Sequence, residues 1–280
     1  MMSFQLGLIG YPIKHSLSPW IHKKFLRASN LEGEYSIIEI DPGLNFADQM
    51  EKFKQNRIDG FNVTVPYKQK IISYLDHVDE EAQNIGAVNT VVNRNGKWTG
   101  YNTDSIGYVR SLEAKYPEAF TQKSTRILLI GAGGAARGIY YSLVSSGFKQ
   151  IDIANRTTES AEKIAKHSYV NTNVLTLTSA ERRLGRYDII IQTTSVGMKP
   201  NEDRSIISLE NLKESSIVSD IIYQPIKTKI LSAAESKGAS IHFGHTMLLY
   251  QAQYAFEIWT NQKMPVNDMD DQLKNILEGR

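Results

Sequence analysis

The sequence predicts an α/β protein made of two α/β domains, and three observations carry that prediction. Short apolar runs alternate with amphipathic helical patterns along almost the whole chain, which argues largely parallel sheets. One run is followed by a glycine-rich turn and a helix, the order of a Rossmann-type unit. With 280 residues there is material for one large or two medium domains, each with its own core.

The elements follow in order. Residues 4–9 read as a strand stopped by Gly10 and Pro12. Ser18-Pro19 reads as a helix start, with serine as N-cap and proline as first helical residue. Trp20, Ile21, Phe25 and Leu26 then supply an inward face at helical spacing. Ser16 is left over, where a strand's carboxyl end opens into a crevice. Further strands read at 35–40, 60–65 and 87–93, and the Asn-Gly pair within 93–98 predicts a hairpin. The polar stretch 113–125 marks a boundary. Beyond it come strands at 126–130, 151–154, 187–192, 217–220 and 239–243, and 247–280 reads as mostly helical. This division gives domains at 1–110 and 111–243, with 244–280 as a C-terminal helical segment.

Composition excludes several classes of function. The net charge is +2, with Lys and Arg scattered, so neither nucleic acid nor a membrane surface is an expected partner. There is no cysteine, which removes disulfides, thiolate metal sites and cysteine nucleophiles and suits a reducing cytoplasm. The run at 4–9 is far shorter than a signal core or a membrane span. His15, His22, His77, His167, His242 and His245 show no metal-ligand spacing, so no metal is expected. His15 reads as a supporting hydrogen bonder rather than a base.

The chemistry-bearing segments begin with the turn Gly131, Ala132, Gly133, Gly134, Ala135, closed by Ala136. Gly131 permits the tight turn, Gly133 lets a pyrophosphate approach the backbone, and Ala136 allows close helix–strand packing. The next strand ends in Asn155, Arg156 and Thr157, without the carboxylate that would bond an NAD ribose. A guanidinium and a hydroxyl suit a 2′-phosphate, so NADP is the expected cofactor. Asp152, the rival acid, lies near that strand's beginning.

In the first domain, the strand at 60–65 leads through Pro66 to Lys68, expected in the first turn of a helix, where the dipole disfavours a cation. Asp104 precedes a helical run, where Asp104 or Thr103 would ordinarily cap. Asn89 sits at a strand end. Singly these are ordinary surface, cap and turn residues. Together they place polar groups at successive element ends, which is how a polar crevice forms.

Taken in order, "GYPIKHSLSP", "FNVTVPYK", "GAVNT", "NTD", "GAGGAAR", "NRT", "TTSVGM", "DIIYQP" and "MLLYQA" resemble the shikimate dehydrogenase family. The resemblance implies an N-terminal substrate domain, a Rossmann-type NADP domain, and a C-terminal helical segment returning to the first. It implies reversible NADPH-dependent reduction of 3-dehydroshikimate to shikimate in aromatic biosynthesis, by a cytoplasmic monomer or homodimer. Lys68 and Asp104 would be the catalytic pair. Ser16, Ser18 and Tyr223 would hold the substrate carboxylate, while Thr64, Asn89, Asp104 and Gln251 would bond its hydroxyls. Ile221 and Gly244 would lie by the nicotinamide, with Glu80 a further cofactor contact. Two departures stand out: Ser160 replaces the second arginine of some members, with Lys163 nearby, and His245-Thr246 replaces smaller or apolar residues. The alternatives are a quinate/shikimate dehydrogenase of the same fold, which would carry an acid near position 155, and a non-catalytic NADP- or metabolite-binding regulator, which could dispense with Lys68 or Asp104.

Overall fold

Strands whose side chains are apolar on both faces must be covered on both faces, and both sheets of this protein follow that rule. A computed structural model describes residues 3–56, 58–122, 124–166 and 170–280; His167 lies outside them. The chain divides into two compact units, residues 1–107 with 251–266, and residues 108–250 with 267–280.

The first unit begins with β1 (Phe4–Gly10), α1 (Ser18–Ala28), β2 (Gly33–Glu39) and α2 (Phe46–Gln55). It continues with β3 (Gly60–Val63), a 3-10 turn at Lys70–Tyr74, β4 (His77–Val78), α3 (Glu80–Ile85), β5 (Thr90–Arg94) and β6 (Lys97–Tyr101). The sheet order is β2-β1-β3-β5-β6-β4. Its first three strands are parallel, whereas β5 runs antiparallel to both neighbours, so this sheet is mixed rather than largely parallel. The reason is the hairpin turn between β5 and β6, where Asn95 and Gly96 both take positive φ, as a two-residue turn of this hand requires. Ile9, Phe61, Val63, Val91 and Trp98 build one core under α2, with Phe46, Met50 and Phe53 spaced along its inward face.

The second unit follows α4 (Thr103–Lys115), which starts in the first, and α5 (Pro117–Thr121). It holds β7 (Arg126–Ile130), α6 (Gly134–Ser145), β8 (Gln150–Ala154), α7 (Thr158–Ala165), β9 (Val174–Leu175) and α8 (Leu177–Glu181). Then come β10 (Ile189–Gln192), β11 (Ile217–Asp220), α9 (Lys229–Ser236), β12 (Ser240–His242), α10 (His245–Thr260) and α11 (Met269–Leu277). All six strands are parallel, in the order β12-β11-β10-β7-β8-β9. Alternate residues of β7 and β10 feed opposite cores: Ile127, Leu129, Ile189 and Ile191 one, Leu128, Ile130 and Ile190 the other.

The C-terminal segment does not return whole to the first unit. Residues 251–266 do, while 244–250 and 267–280 stay with the second. Trp259 fixes the returning part: its indole N–H donates to the Val91 carbonyl at 2.9 Å, and it fills the space that a side chain at Gly60 would need. The final helix meets the start of α10 where Asp270 Oδ1 lies 3.0 Å from His245 Nε2.

Candidate active site

In the first unit the polar groups gather at strand ends. β1 and β3 are parallel neighbours, and a Cβ at Gly10 would lie 2.4 Å from the Thr64 methyl, so only glycine lets Thr64 sit there. The Val63 N–H bonds the Asn89 carbonyl, and the Val88 N–H bonds the Lys68 carbonyl at 2.8 Å. With the Thr64 N–H bonded to the Ile9 carbonyl, Thr64, Lys68 and Asn89 are tied to one end of the sheet's central strands. Lys68 Nζ donates to Asp104 Oδ2 at 2.6 Å, with the two side chains 31% and 27% exposed. At Gly107, one turn beyond Asp104, a Cβ would lie 2.5 Å from the backbone of Gln251. That glycine lets α10 touch α4 on the face that carries the pair.

Three local expectations are corrected. Ser18 is not the N-cap of α1; Leu17 is, and the Ser18 N–H instead bonds Ser16 Oγ at 3.3 Å. Ser16 thus has a partner, and its own hydroxyl donates to Ser18 Oγ at 3.2 Å. Lys68 does not stand in an α-helix. The segment turns before the short 3-10 turn because Tyr67 reaches inward to the Ile40 carbonyl, so the dipole argument has no helix to act through. Capping at α4 falls to Asn102, whose Oδ1 accepts from the Asp104 N–H, leaving the Asp104 carboxylate to Lys68. His15 is exposed.

In the second unit Gly131 has φ +117°, and a Cβ there would strike Thr193 Oγ1 at 2.4 Å. Glycine is obligatory on both counts. Gly133, Gly134 and Ala135 are exposed while Ala132 packs on the core and Ala136 is buried. Beyond the adjoining backbone, open space surrounds the points where side chains at Gly133 or Gly134 would begin. The start of α6 has no side-chain cap, so its N–H groups are available to an anion. Asn155 turns back to the Thr157 carbonyl, which keeps Arg156 and Thr157 exposed beyond β8. Asp152 is engaged by Tyr187 and Asn173 and is no rival ligand. Glu80 opens α3 in the first unit, exposed. Tyr223 is exposed.

Gly244 has a packing reason of its own, since a Cβ would fall 2.4 Å from the Ile222 carbonyl. It brings α10 against the segment containing Ile221. His245 and Thr246 are buried, with Thr246 bonded to His242 and the Phe243 carbonyl. Among the described residues no group of three or more His, Cys, Asp or Glu could hold a metal.

Sequence reasoning missed Asp220. It ends the apolar strand β11 and accepts from the Thr228 hydroxyl at 2.7 Å, the Ile222 N–H at 2.9 Å and Gln192 at 3.3 Å. Gln192 in turn donates to the Thr194 and Val196 carbonyls, so one carboxylate anchors both loops at this strand end. A charged residue closing an otherwise apolar strand was the available signal. Burial pushes its carboxyl up to about 6 despite those hydrogen bonds. The folded state therefore binds the proton more tightly than the unfolded chain, and the group's contribution to stability falls as pH rises from about 4 through 6. Asp220→Asn is expected to melt at a temperature that rises relative to the parent across that interval, as calorimetry at stepped pH would show. A constant difference would mean that Asp220 titrates at its ordinary value.

The fold and these groups define a class: a dinucleotide-dependent oxidoreductase with a separate unit carrying a lysine–aspartate pair. Three family models match, the shikimate dehydrogenase substrate binding domain at residues 8–91, shikimate / quinate 5-dehydrogenase at 114–226, and the shikimate 5′-dehydrogenase C-terminal domain at 244–274. A shikimate dehydrogenase (NADP(+)) of Oceanobacillus iheyensis is 53% identical over 283 residues, covering all of both chains. The chain belongs to the shikimate dehydrogenase family, NADP-dependent oxidoreductases acting on a CH–OH group. Among solved structures, shikimate 5-dehydrogenase of Thermus thermophilus in complex with NADP(H) and shikimate superposes with a TM-score of 0.85, at 28% identity, covering 98% of this chain and 99% of that one. Quinate dehydrogenase of Corynebacterium glutamicum in complex with NAD superposes with a TM-score of 0.86, also at 28% identity, covering 99% of each chain.

Proposed function

We propose that this protein interconverts 3-dehydroshikimate and shikimate with NADP, and that the observation carrying this reading is the Lys68–Asp104 pair at 2.6 Å. The regulator alternative would have no use for it. NADP is favoured over NAD because the end of β8 offers Arg156 and Thr157 and no carboxylate. The open space at Gly133 and Gly134 and the uncapped start of α6 fit a pyrophosphate.

When bound, NADPH supplies the hydride. Lys68 would deliver the proton to the oxygen that becomes the hydroxyl and stabilise the charge building on it. Asp104 would hold the ammonium in place and bond a neighbouring hydroxyl. Ser16, Ser18 and Tyr223 would bind the carboxylate through neutral donors, with Thr64, Asn89 and Gln251 on the hydroxyls. Ile221 and Gly244 would flank the nicotinamide, and Glu80 would touch the cofactor. Among the described residues no helix is long and apolar enough to cross a membrane. The lack of cysteine suits a cytoplasmic enzyme, working as a monomer or homodimer.

Steady-state turnover with shikimate and quinate, each with NADP and NAD, tests the reading; shikimate with NADP is the expected best pair. Quinate with NAD as the best pair would overturn it in favour of the quinate enzyme. Arg156→Ala is expected to raise the KM for NADP by about tenfold or more while leaving that for NAD unchanged, since only the 2′-phosphate needs the guanidinium. Equal effects on both cofactors would place Arg156 elsewhere.

A further inference from the structure

A chain of buried hydrogen bonds runs beneath the first unit's polar groups. The Tyr35 hydroxyl donates to Asn62 Oδ1 at 2.7 Å. Asn62 Nδ2 donates to Thr90 Oγ1 at 3.0 Å and to the Asn89 carbonyl at 3.2 Å. Thr90 Oγ1 donates to Asn89 Oδ1 at 3.0 Å, and Asn89 Oδ1 also receives the N–H and hydroxyl of Thr103 at 2.7 and 3.1 Å. Thr103 is the residue before Asp104. Asn62, Asn89, Thr90 and Thr103 are all buried.

The orientation of the two carboxamides in this chain follows from their partners. Burial pushes the Tyr35 phenol far up, so it stays protonated, and its hydroxyl donates to the oxygen end of Asn62. The amide end of Asn62 must then face Thr90. The Thr103 N–H can only donate and so fixes Asn89 Oδ1 as an acceptor, while the Thr90 and Thr103 hydroxyls, 3.0 Å from each other, both reach the same oxygen. The carboxamide of Asn89 has one way round, and its NH2 group is the end left for a ligand. We propose that Tyr35, Asn62 and Thr90 are positioning residues that lock Asn89 as a donor-only contact, so that the substrate oxygen meeting it must be an acceptor. This deepens the proposed function and rests on Asn89 being a substrate contact.

The hydrogen-bonded arrangement is also a specificity device. A freely rotating carboxamide would serve a donor or an acceptor alike, whereas a locked one discriminates, because a buried mismatch leaves two polar groups unpaired.

The test compares Thr90→Val, Thr90→Ser, Tyr35→Phe, Asn89→Ala and the Thr90→Val/Asn89→Ala double variant by steady-state kinetics and melting. Thr90→Val and Tyr35→Phe are expected to raise the KM for shikimate about tenfold, with kcat and the KM for NADP near the parent. Thr90→Ser, which restores the hydroxyl, should recover the parent KM. Thr90→Val should add nothing in the Asn89→Ala background, since the two act through one group. A Thr90→Val enzyme that melts early with an unchanged shikimate KM, or a double variant with additive effects, would overturn the proposal while leaving the activity intact. If Asn89→Ala itself leaves the shikimate KM unchanged, the substrate-contact reading fails and the proposal with it.

Discussion

Lys68→Ala is expected to lower kcat for shikimate oxidation by about a thousandfold, the joint contribution of a positioned proton-transfer group and a charge facing the reacting oxygen. NADP affinity, measured by titration calorimetry, should stay at the parent value, because Lys68 is not among the residues proposed to hold the cofactor. The loss should fall on kcat more than on KM, since the interaction grows as the oxygen becomes charged. Lys68→Arg keeps the charge but surrenders a proton far less readily, so it should recover little. Asp104→Asn should cost less than Lys68→Ala, because the ammonium remains while its anchor at 2.6 Å weakens. A Lys68→Ala enzyme that kept a tenth of the parent rate would show that the proton comes from elsewhere.

Trp259→Ala is expected to destabilise the first unit by about 3–5 kcal/mol, the usual cost of emptying a large aromatic site, and to lower its melting temperature by about 10 °C. The indole is 1% exposed, bonds the Val91 carbonyl and packs against His22 and Tyr35. The same variant should raise the KM for shikimate, because Trp259 and Gln251 share α10. Gly60→Ala attacks the contact from the other side, since its methyl would fall 2.3 Å from the indole nitrogen, and should give the same pair of effects. Calorimetry with and without NADP would assign the weakened transition. An unchanged shikimate KM would separate the packing of α10 from the placement of Gln251.

Much of this molecule is legible in its residues. The glycine turn, the Asn155–Thr157 strand end and the serine pair are contiguous in the chain, so local chemistry reports them. The Lys68–Asp104 contact is not contiguous, and only the folded sheet brings those two groups together. β4 and β9 have two residues each, too few for any periodicity. Ser18 was misread because the helix is capped one residue earlier, at Leu17, and the Ser18 N–H is taken by Ser16 Oγ. Lys68 was misplaced because Tyr67 and the Val88–Lys68 backbone bond pull the segment toward the sheet, and proline chemistry alone cannot show that pull. Asn62 and Asp220 sit in runs read only as strands, and the partners that give them their roles are not visible in the chain.

The return of residues 251–266 to the first unit has a consequence for biosynthesis. A chain made from its amino end presents β1 to β6 early, yet the indole that closes over Gly60 arrives only after the whole second sheet has been made. Val91 must wait 168 residues for its partner. The Rossmann-type unit's sheet, from β7 to β12, is contiguous in the chain and has no such delay, so the sheet begun first on the ribosome gains its last packing partner only after the second sheet is made. Until then its apolar floor is open to chaperones, and a chain stopped short of residue 259 should be cleared by proteases.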